Sequence, residues 1–373
     1  MDEQTKKTIK EDELIARTRL RLAPGIGPKY YHILMSQYGS AIKVLQAPRC
    51  LLLNILSGDT LEQLFLPEAE GDAREEIRKT RKLGAKILPF GHPEYPKRLL
   101  DIPKPPPMLW IAGNIPLLRG VAIVGKRAAS MTNRSLTKEI SKGLCKEGIV
   151  IISGGAYGID AAAHEGCLEG EGETICVLGS SLNRPYPERN IGLFKKIANG
   201  NGAVMSHLQL SVEPHKGCFL QRNRIIAALS VGVCVIEAGL RSGARNTAAH
   251  ARKLGIPVMA VPGSPGTIRL LSEGAFRVEC AQDILNVIDG KKEFSGMKMP
   301  QDIPEEGKKI LEASSVINGR TPSELSSICG ISLSETLSLL TELEIEGLVI
   351  RLPGNRYSSP CRSPAQPKNK FGG

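Results

Sequence analysis

No apolar run in this sequence approaches the roughly 18 residues that a membrane-spanning helix requires, so no segment reads as transmembrane. The first twenty residues include Lys6, Lys7, Lys10 and Asp12 and lack the continuous apolar core of a secretory signal, which makes a cytoplasmic protein the expectation. Paired cysteines are missing too. The nine cysteines stand at positions 50, 145, 167, 176, 218, 234, 280, 329 and 361, without a CxxC pair or zinc spacing. Several lie inside apolar runs, so buried reduced thiols are expected ahead of a metal or redox role. Catalytic signatures are absent as well. Without GxxxxGK[ST] the chain does not read as a P-loop ATPase, without GxSxG it has no nucleophile elbow, and His164-Glu165 lacks the second histidine of HExxH. Asp160 and His164 stand one helical turn apart, a spacing that suits acid–base chemistry or a metal. A helix-capping aspartate beside a satisfied histidine is the expected reading, and neither enzyme activity, cofactor nor metal is expected.

What is present is globular and basic. Apolar residues make up 41% and charged residues 23% of the 373, and the length allows two or three domains. The net charge of +11 favours polyanionic partners, and where the basic residues fall matters more than their total.

Residues 1–90 read as a small helical domain, with Leu14, Ile15, Leu20 and Leu22 before a turn and Ile33, Leu34, Ile42, Val44 and Leu45 after it at helical spacing. The turn, Leu22-Ala23-Pro24-Gly25-Ile26-Gly27-Pro28-Lys29, suits a helix-hairpin-helix of the SAM-like kind. Its backbone N–H groups either hold a phosphate or serve packing alone, and the sequence leaves both open. Prolines from Pro93 to Pro107 stiffen a connector, after which Met108-Leu109-Trp110-Ile111 is expected to supply an edge strand.

Residues 91–288 then alternate short apolar strands (Val121–Val124, Ile149–Ile152, Thr174–Leu178, Ala203–Met205, Gly232–Ile236, Ile256–Val261) with helices. That pattern predicts an α/β, Rossmann-like, doubly wound and mostly parallel sheet covered on both faces. A polar linker over 289–304 leads to three helix candidates and a hairpin over 305–358, a winged-helix pattern with capping boxes at Thr321-Pro322-Ser323-Glu324 and Ser332-x-x-Glu335. The proline- and lysine-bearing tail, 359–373, is expected to be disordered.

Several predicted strands end in glycine or serine: Gly125-Lys126-Arg127, Ser153-Gly154-Gly155-Ala156-Tyr157-Gly158, Gly179-Ser180-Ser181 and Pro262-Gly263-Ser264. Glycine-rich turns at the carboxyl ends of parallel strands, next to helix N-termini, make an anion site, and phosphate is its natural occupant. From Pro214 to Arg252 six basic residues face one acidic residue, Glu237. Arginine forks suit a nucleic-acid backbone, and Tyr157, Tyr186 and Phe219, which lie beside these segments, either stack on unpaired bases or, as such rings more often do, fill the core.

These segments resemble the DprA/Smf family of DNA-processing proteins. The resemblance is carried in order by Val121-Ala122-Ile123-Val124-Gly125-Lys126-Arg127, Ser153 to Asp160 with Ala163-His164, Tyr186-Pro187, Arg222-Asn223-Arg224-Ile225-Ile226, Ser242-Gly243 with Thr247-Ala248, and Ala260-Val261-Pro262-Gly263. It implies a protein that binds and protects single-stranded DNA, loads the RecA recombinase during natural transformation or related recombination, and forms a homodimer. It implies that Arg127, Arg222 and Arg224 line the DNA pocket, with Gly125, Gly154 and Gly155 as phosphate-facing turns. Lys126, Tyr157, Phe219, Asn223, Arg241 and Ser242 complete the candidate DNA-binding set. Three features depart from the family pattern: Lys126 replaces a small hydroxyl residue, Gly155 and Tyr157 alter the usual SGLARGID, and the phosphate loop after Gly263 is shortened to Ser264–Arg269.

Two rival readings follow from the same features. Nucleoside-monophosphate phosphoribohydrolases of the lonely-guy (LOG) type share the broad superfamily, but their PGGxGTxxE signature is replaced here by Glu237-Ala238-Gly239-Leu240-Arg241-Ser242-Gly243. A repair glycosylase built on the Gly25-Ile26-Gly27 turn would need an aspartate about twenty residues on, and no acidic residue occurs from Lys29 to Gly58.

Overall fold

The structure, a computed structural model, describes residues 9–116, 119–291, 304–314, 319–345, 348–352 and 354–358. The amino-terminal part is helical: α1 (Glu11–Leu22), α2 (Pro28–Tyr38), α3 (Ala41–Gln46), α4 (Arg49–Leu52), α5 (Gly58–Leu64) and α6 (Ala69–Lys82). Ser40 and Ser57 cap α3 and α5 by accepting the N–H groups of Lys43 and Thr60. The expected turn joins α1 to α2 with Pro28 at the first helical position. Gly25 is required there, because its φ is +88° and a Cβ would sit 2.4 Å from Thr60 Oγ1. Leu20, Tyr31, Leu34, Val44 and Leu64 fill the core of this part.

A nine-stranded sheet follows, in the order β1-β2-β6-β5-β4-β3-β7-β8-β9. Its strands are β1 (Ala85–Pro89), β2 (Met108–Gly113), β3 (Gly120–Val124), β4 (Val150–Ser153), β5 (Thr174–Val177), β6 (Ala203–Ser206), β7 (Gly232–Val235), β8 (Val258–Ala260) and β9 (Phe276–Arg277). The pairs β1–β2 and β2–β6 are antiparallel and the others parallel. Alternation along β3 feeds two cores. Ala122 and Val124 face α10 (Lys216–Leu229) and α11 (Gly243–Lys253), whereas Val121 and Ile123 face α7 (Met131–Lys146), α8 (Ile159–Glu169) and α13 (Ala281–Ile288). The chain also forms α9 (Ile191–Asn199) and α12 (Pro265–Ser272).

The sheet departs from expectation at its margins. Met108–Ile111 is not an edge strand: it is β2, and the edge is β1, which begins at Ala85 on the amino-terminal side of the anticipated 90/91 boundary. Ile15, Ile77, Ile87, Trp110 and Leu210 form one cluster, so α1 and α6 pack directly on this edge. Polar contacts reinforce the seam: Arg17 donates to Phe90 O at 2.6 Å, Gln209 to Arg21 O at 2.8 Å, and the Leu210 N–H to Glu76 Oε1 at 2.8 Å. Ser264–Arg269 is not a loop. Ser264 and Thr267 make the capping box of α12, and the Gly266 N–H donates to Ala238 O at 2.7 Å.

The carboxyl-terminal module comprises α14 (Glu305–Ala313), α15 (Pro322–Cys329), α16 (Leu333–Ile345) and the hairpin β10 (Ile350–Leu352) and β11 (Arg356–Ser358), around Ile310, Leu325, Leu340 and Leu343. The expected capping box of Thr321 and Glu324 forms at α15, and at α16 Ser332 accepts the Glu335 N–H at 3.2 Å. This is the winged-helix pattern. Most of the anticipated linker, 292–303, and the whole tail, 359–373, lie outside the described residues.

Candidate nucleic-acid interface

The strand order reverses at β3: the chain leaves it for β4 on one side and later returns to lay β7 on the other. Open α/β sheets bind ligands at the carboxyl ends of the strands beside such a reversal. Here the turns after β3, β4 and β5 meet the amino-terminal half of α10 in a small cleft. Arg127, Gly154, Ala156, Tyr157, Tyr186, Pro187, Phe219 and Arg222 line it, and no lining residue is acidic.

Its floor is built around Arg222, which is only 5% exposed. One Nη donates to Val177 O at 2.6 Å and to Gly154 O, and Nε donates to Asn223 Oδ1 at 3.2 Å. Gly154 is glycine for this reason, since a Cβ there would lie 1.9 Å from the guanidinium. Asp160 sits near. It does not cap α8 but accepts the Gly154 and Ala156 N–H groups at 3.2 and 3.4 Å, shaping the turn before the helix. Burial pushes its carboxyl pKa up, with Arg222 and those N–H groups pulling the other way. His164 bonds Thr174 Oγ1 at 2.7 Å, and burial together with Arg222 depresses its pKa to about 3. Asp160 and His164 are thus engaged with different partners and form no acid–base pair.

The rim is different in character. Arg127 is exposed and stands 5.9 Å above the Phe219 ring, without an ion pair among the described residues. Phe219 packs on Gly179, where a Cβ would approach to 2.5 Å, and meets Tyr186 edge-on at 5.9 Å. Tyr157 and Tyr186 are 38% and 44% exposed, so both present ring surface to solvent. The site combines an exposed cation, three aromatic rings and a buried second guanidinium.

The remaining expected residues are placed elsewhere or spent internally. Arg224 follows Arg222 by two residues, about 200° around the helix, and donates to Pro103 O at 2.9 Å and Lys104 O at 3.2 Å, clamping the proline-rich connector. Asn223 is buried and donates to Gly243 O at 3.2 Å. Gly155 has φ +68° and faces Cys176 and Phe194, and Gly125 faces Ile159. Lys126 pairs with Glu237 at 3.3 Å. Ser242 caps α11 and Arg241 is exposed beside it, both beyond β7 and apart from the cleft lining. Sequence reasoning missed Asn190, whose Nδ2 donates to Gly155 O at 2.9 Å and supports the β4 turn. Nothing in its local sequence marks it.

These features define a class: a doubly wound nucleotide-fold protein with a cationic, aromatic-rimmed cleft at its switch point and, among the described residues, no cluster of metal-ligating side chains. No described helix is long and apolar enough to cross a membrane. Residues 86–289 match the family described as DNA recombination-mediator protein A, and 309–355 match the DprA winged helix domain. The chain belongs to this DprA/Smf family of recombination mediators. Protein Smf of Synechocystis is 33% identical over 314 residues, covering 71% of this chain and 78% of that protein. DNA processing protein DprA of Streptococcus pneumoniae is 41% identical over 199 residues, covering 51% and 70%. The X-ray structure of the S. pneumoniae protein superposes with a TM-score of 0.64 at 31% identity, covering 72% of this chain and 95% of that one. The Helicobacter pylori DprA structure, described for its single-stranded DNA binding mode, gives 0.51 at 33% identity, covering 56% and 97%.

Proposed function

We propose that this recombination mediator binds single-stranded DNA through the Arg127 cleft, does no chemistry on it, and as a homodimer delivers the strand to the RecA recombinase. The observation that carries the DNA reading is Arg127, exposed over Phe219 in a cleft that two exposed tyrosines also line. A guanidinium grips phosphate bidentately, whereas aromatic faces accept any unpaired base. Few groups in the cleft could read base edges, so binding should show little sequence preference. A duplex keeps its bases stacked and offers none to Tyr157 or Tyr186. Family membership and the binding mode described for the H. pylori relative support the same reading.

The test is a titration of unlabelled protein against labelled single- and double-stranded oligonucleotides over a range of salt. Neutralising about four to eight phosphates gives a log–log salt slope of about −3 to −6 for the single strand. A slope near zero, or equal affinity for duplex, overturns the cleft as the site. Delivery and self-association are read by RecA filament formation on protein-coated strands and by sedimentation of the full chain.

A further inference from the structure

Glu237 puts a carboxylate where phosphate would be expected. It follows β7 directly beside the strand-order reversal, is 8% exposed, and is the one acidic residue between Pro214 and Arg252. Oε2 accepts the Ser130 N–H at 3.1 Å and Asn133 Nδ2 at 3.0 Å, and Oε1 accepts Lys126 Nζ at 3.3 Å. Every donor comes from the turn after β3 or from the start of α7. From the opposite side the same turn is held by α8: the Ile159 N–H donates to Lys126 O at 3.3 Å, and Gly158 packs so closely that a Cβ would lie 2.3 Å from the Lys126 and Arg127 carbonyl oxygens. Between the two clamps the chain projects Arg127 over Phe219.

We infer that Glu237 is a positioning residue for DNA: it holds the β3–α7 turn in the shape that carries Arg127 into the cleft, and it acts on the ligand only through that turn. The inference rests on the single-stranded DNA reading above. Charge alone predicts the opposite sign. A carboxylate beside a polyanion site repels phosphate, and removing it also frees Lys126, so Glu237→Ala should tighten binding and steepen the salt slope by about 0.7 for one more phosphate on a single strand. Positioning predicts weaker binding, because an unanchored turn must be ordered again whenever Arg127 meets phosphate.

The experiment is fluorescence anisotropy of a labelled oligothymidylate against the full chain, comparing wild type with Glu237→Ala, Glu237→Gln, Asn133→Ala, Arg127→Ala and the Glu237→Ala/Arg127→Ala double variant. Glu237→Ala should weaken binding at least fivefold. Glu237→Gln should recover most of that loss, since its amide oxygen still accepts the Ser130 N–H, and the double variant should be within twofold of Arg127→Ala alone. Binding by Glu237→Ala as tight as wild type or tighter, or losses that multiply in the double variant, overturns the inference. Should Glu237→Ala not fold, Asn133→Ala decides: a twofold or greater loss supports the positioning role and unchanged affinity overturns it. The wild-type and Arg127→Ala arms report separately on the functional reading: if neither binds the strand, that reading fails.

Discussion

The two arginines of the cleft carry different duties, and substitution separates them. Arg127 is exposed, so Arg127→Ala should leave the melting temperature within about 2 °C of wild type while lowering DNA affinity, since isolated surface changes usually stay within about 0.5 kcal/mol. Arg222 is buried and satisfies the carbonyls of Gly154 and Val177. Arg222→Ala leaves both acceptors and a cavity behind, a cost of about 2–4 kcal/mol that denaturant titration should show even without DNA. Equal stability of the two variants would contradict this division. Burial holds both His164 and His207 near pKa 3, against 6.5 in an unfolded chain. The unfolded state therefore binds more protons below about pH 6.5, and each histidine takes away up to about 1.4 kcal/mol of stability per pH unit as pH falls from there toward 3. Asp160 and Glu76, whose pKa values burial raises, oppose this trend as they protonate in the folded state. Denaturation midpoints between pH 7.5 and 5 test the sign, and His164→Gln should flatten the dependence. A dependence that the variant leaves unchanged would exclude His164 as its source.

At the scale of elements, α16 is the informative one. A winged helix usually invites a recognition helix into the major groove, but α16 exposes Glu335, Glu342 and Glu344 and carries no basic residue. Over Glu305–Tyr357 eight acidic residues face five basic, a net −3 in a chain of +11. Leu333 and Leu337, one turn apart, are 46% and 42% exposed, a face better suited to a protein than to phosphates. We expect a chain ending near Gly290 to bind single-stranded DNA within a few-fold of the full protein, and a hundredfold loss in a mobility shift would overturn this. The principal parallel strands and the capped helices were legible in the sequence because each is a short β-branched run or begins with a capping residue. The β1 strand was not: Ala85–Pro89 is only five residues long, ends in proline, and becomes a strand by pairing with β2. Likewise α12 looked like a loop because Pro265 and Gly266 open it, and its position depends on the approach of Gly266 to Ala238 O.

For the whole molecule, the order of residues along the chain specified the doubly wound class, the order of the phosphate-type turns, and the family, because strand and turn residues act locally and their order survives any packing. It also determined the excess of positive charge. Which cations remain available to a ligand depends on the packing of distant segments. Arg222, Arg224 and Lys126 are equivalent in sequence to Arg127 as candidate phosphate contacts, yet the first is buried against carbonyls, the second clamps a connector and the third is paired with Glu237. A guanidinium or ammonium group goes to whichever acceptor the fold brings within about 3 Å. Those acceptors, at Gly154, Val177, Pro103, Lys104 and Glu237, come from sequence positions 45 to 121 residues away.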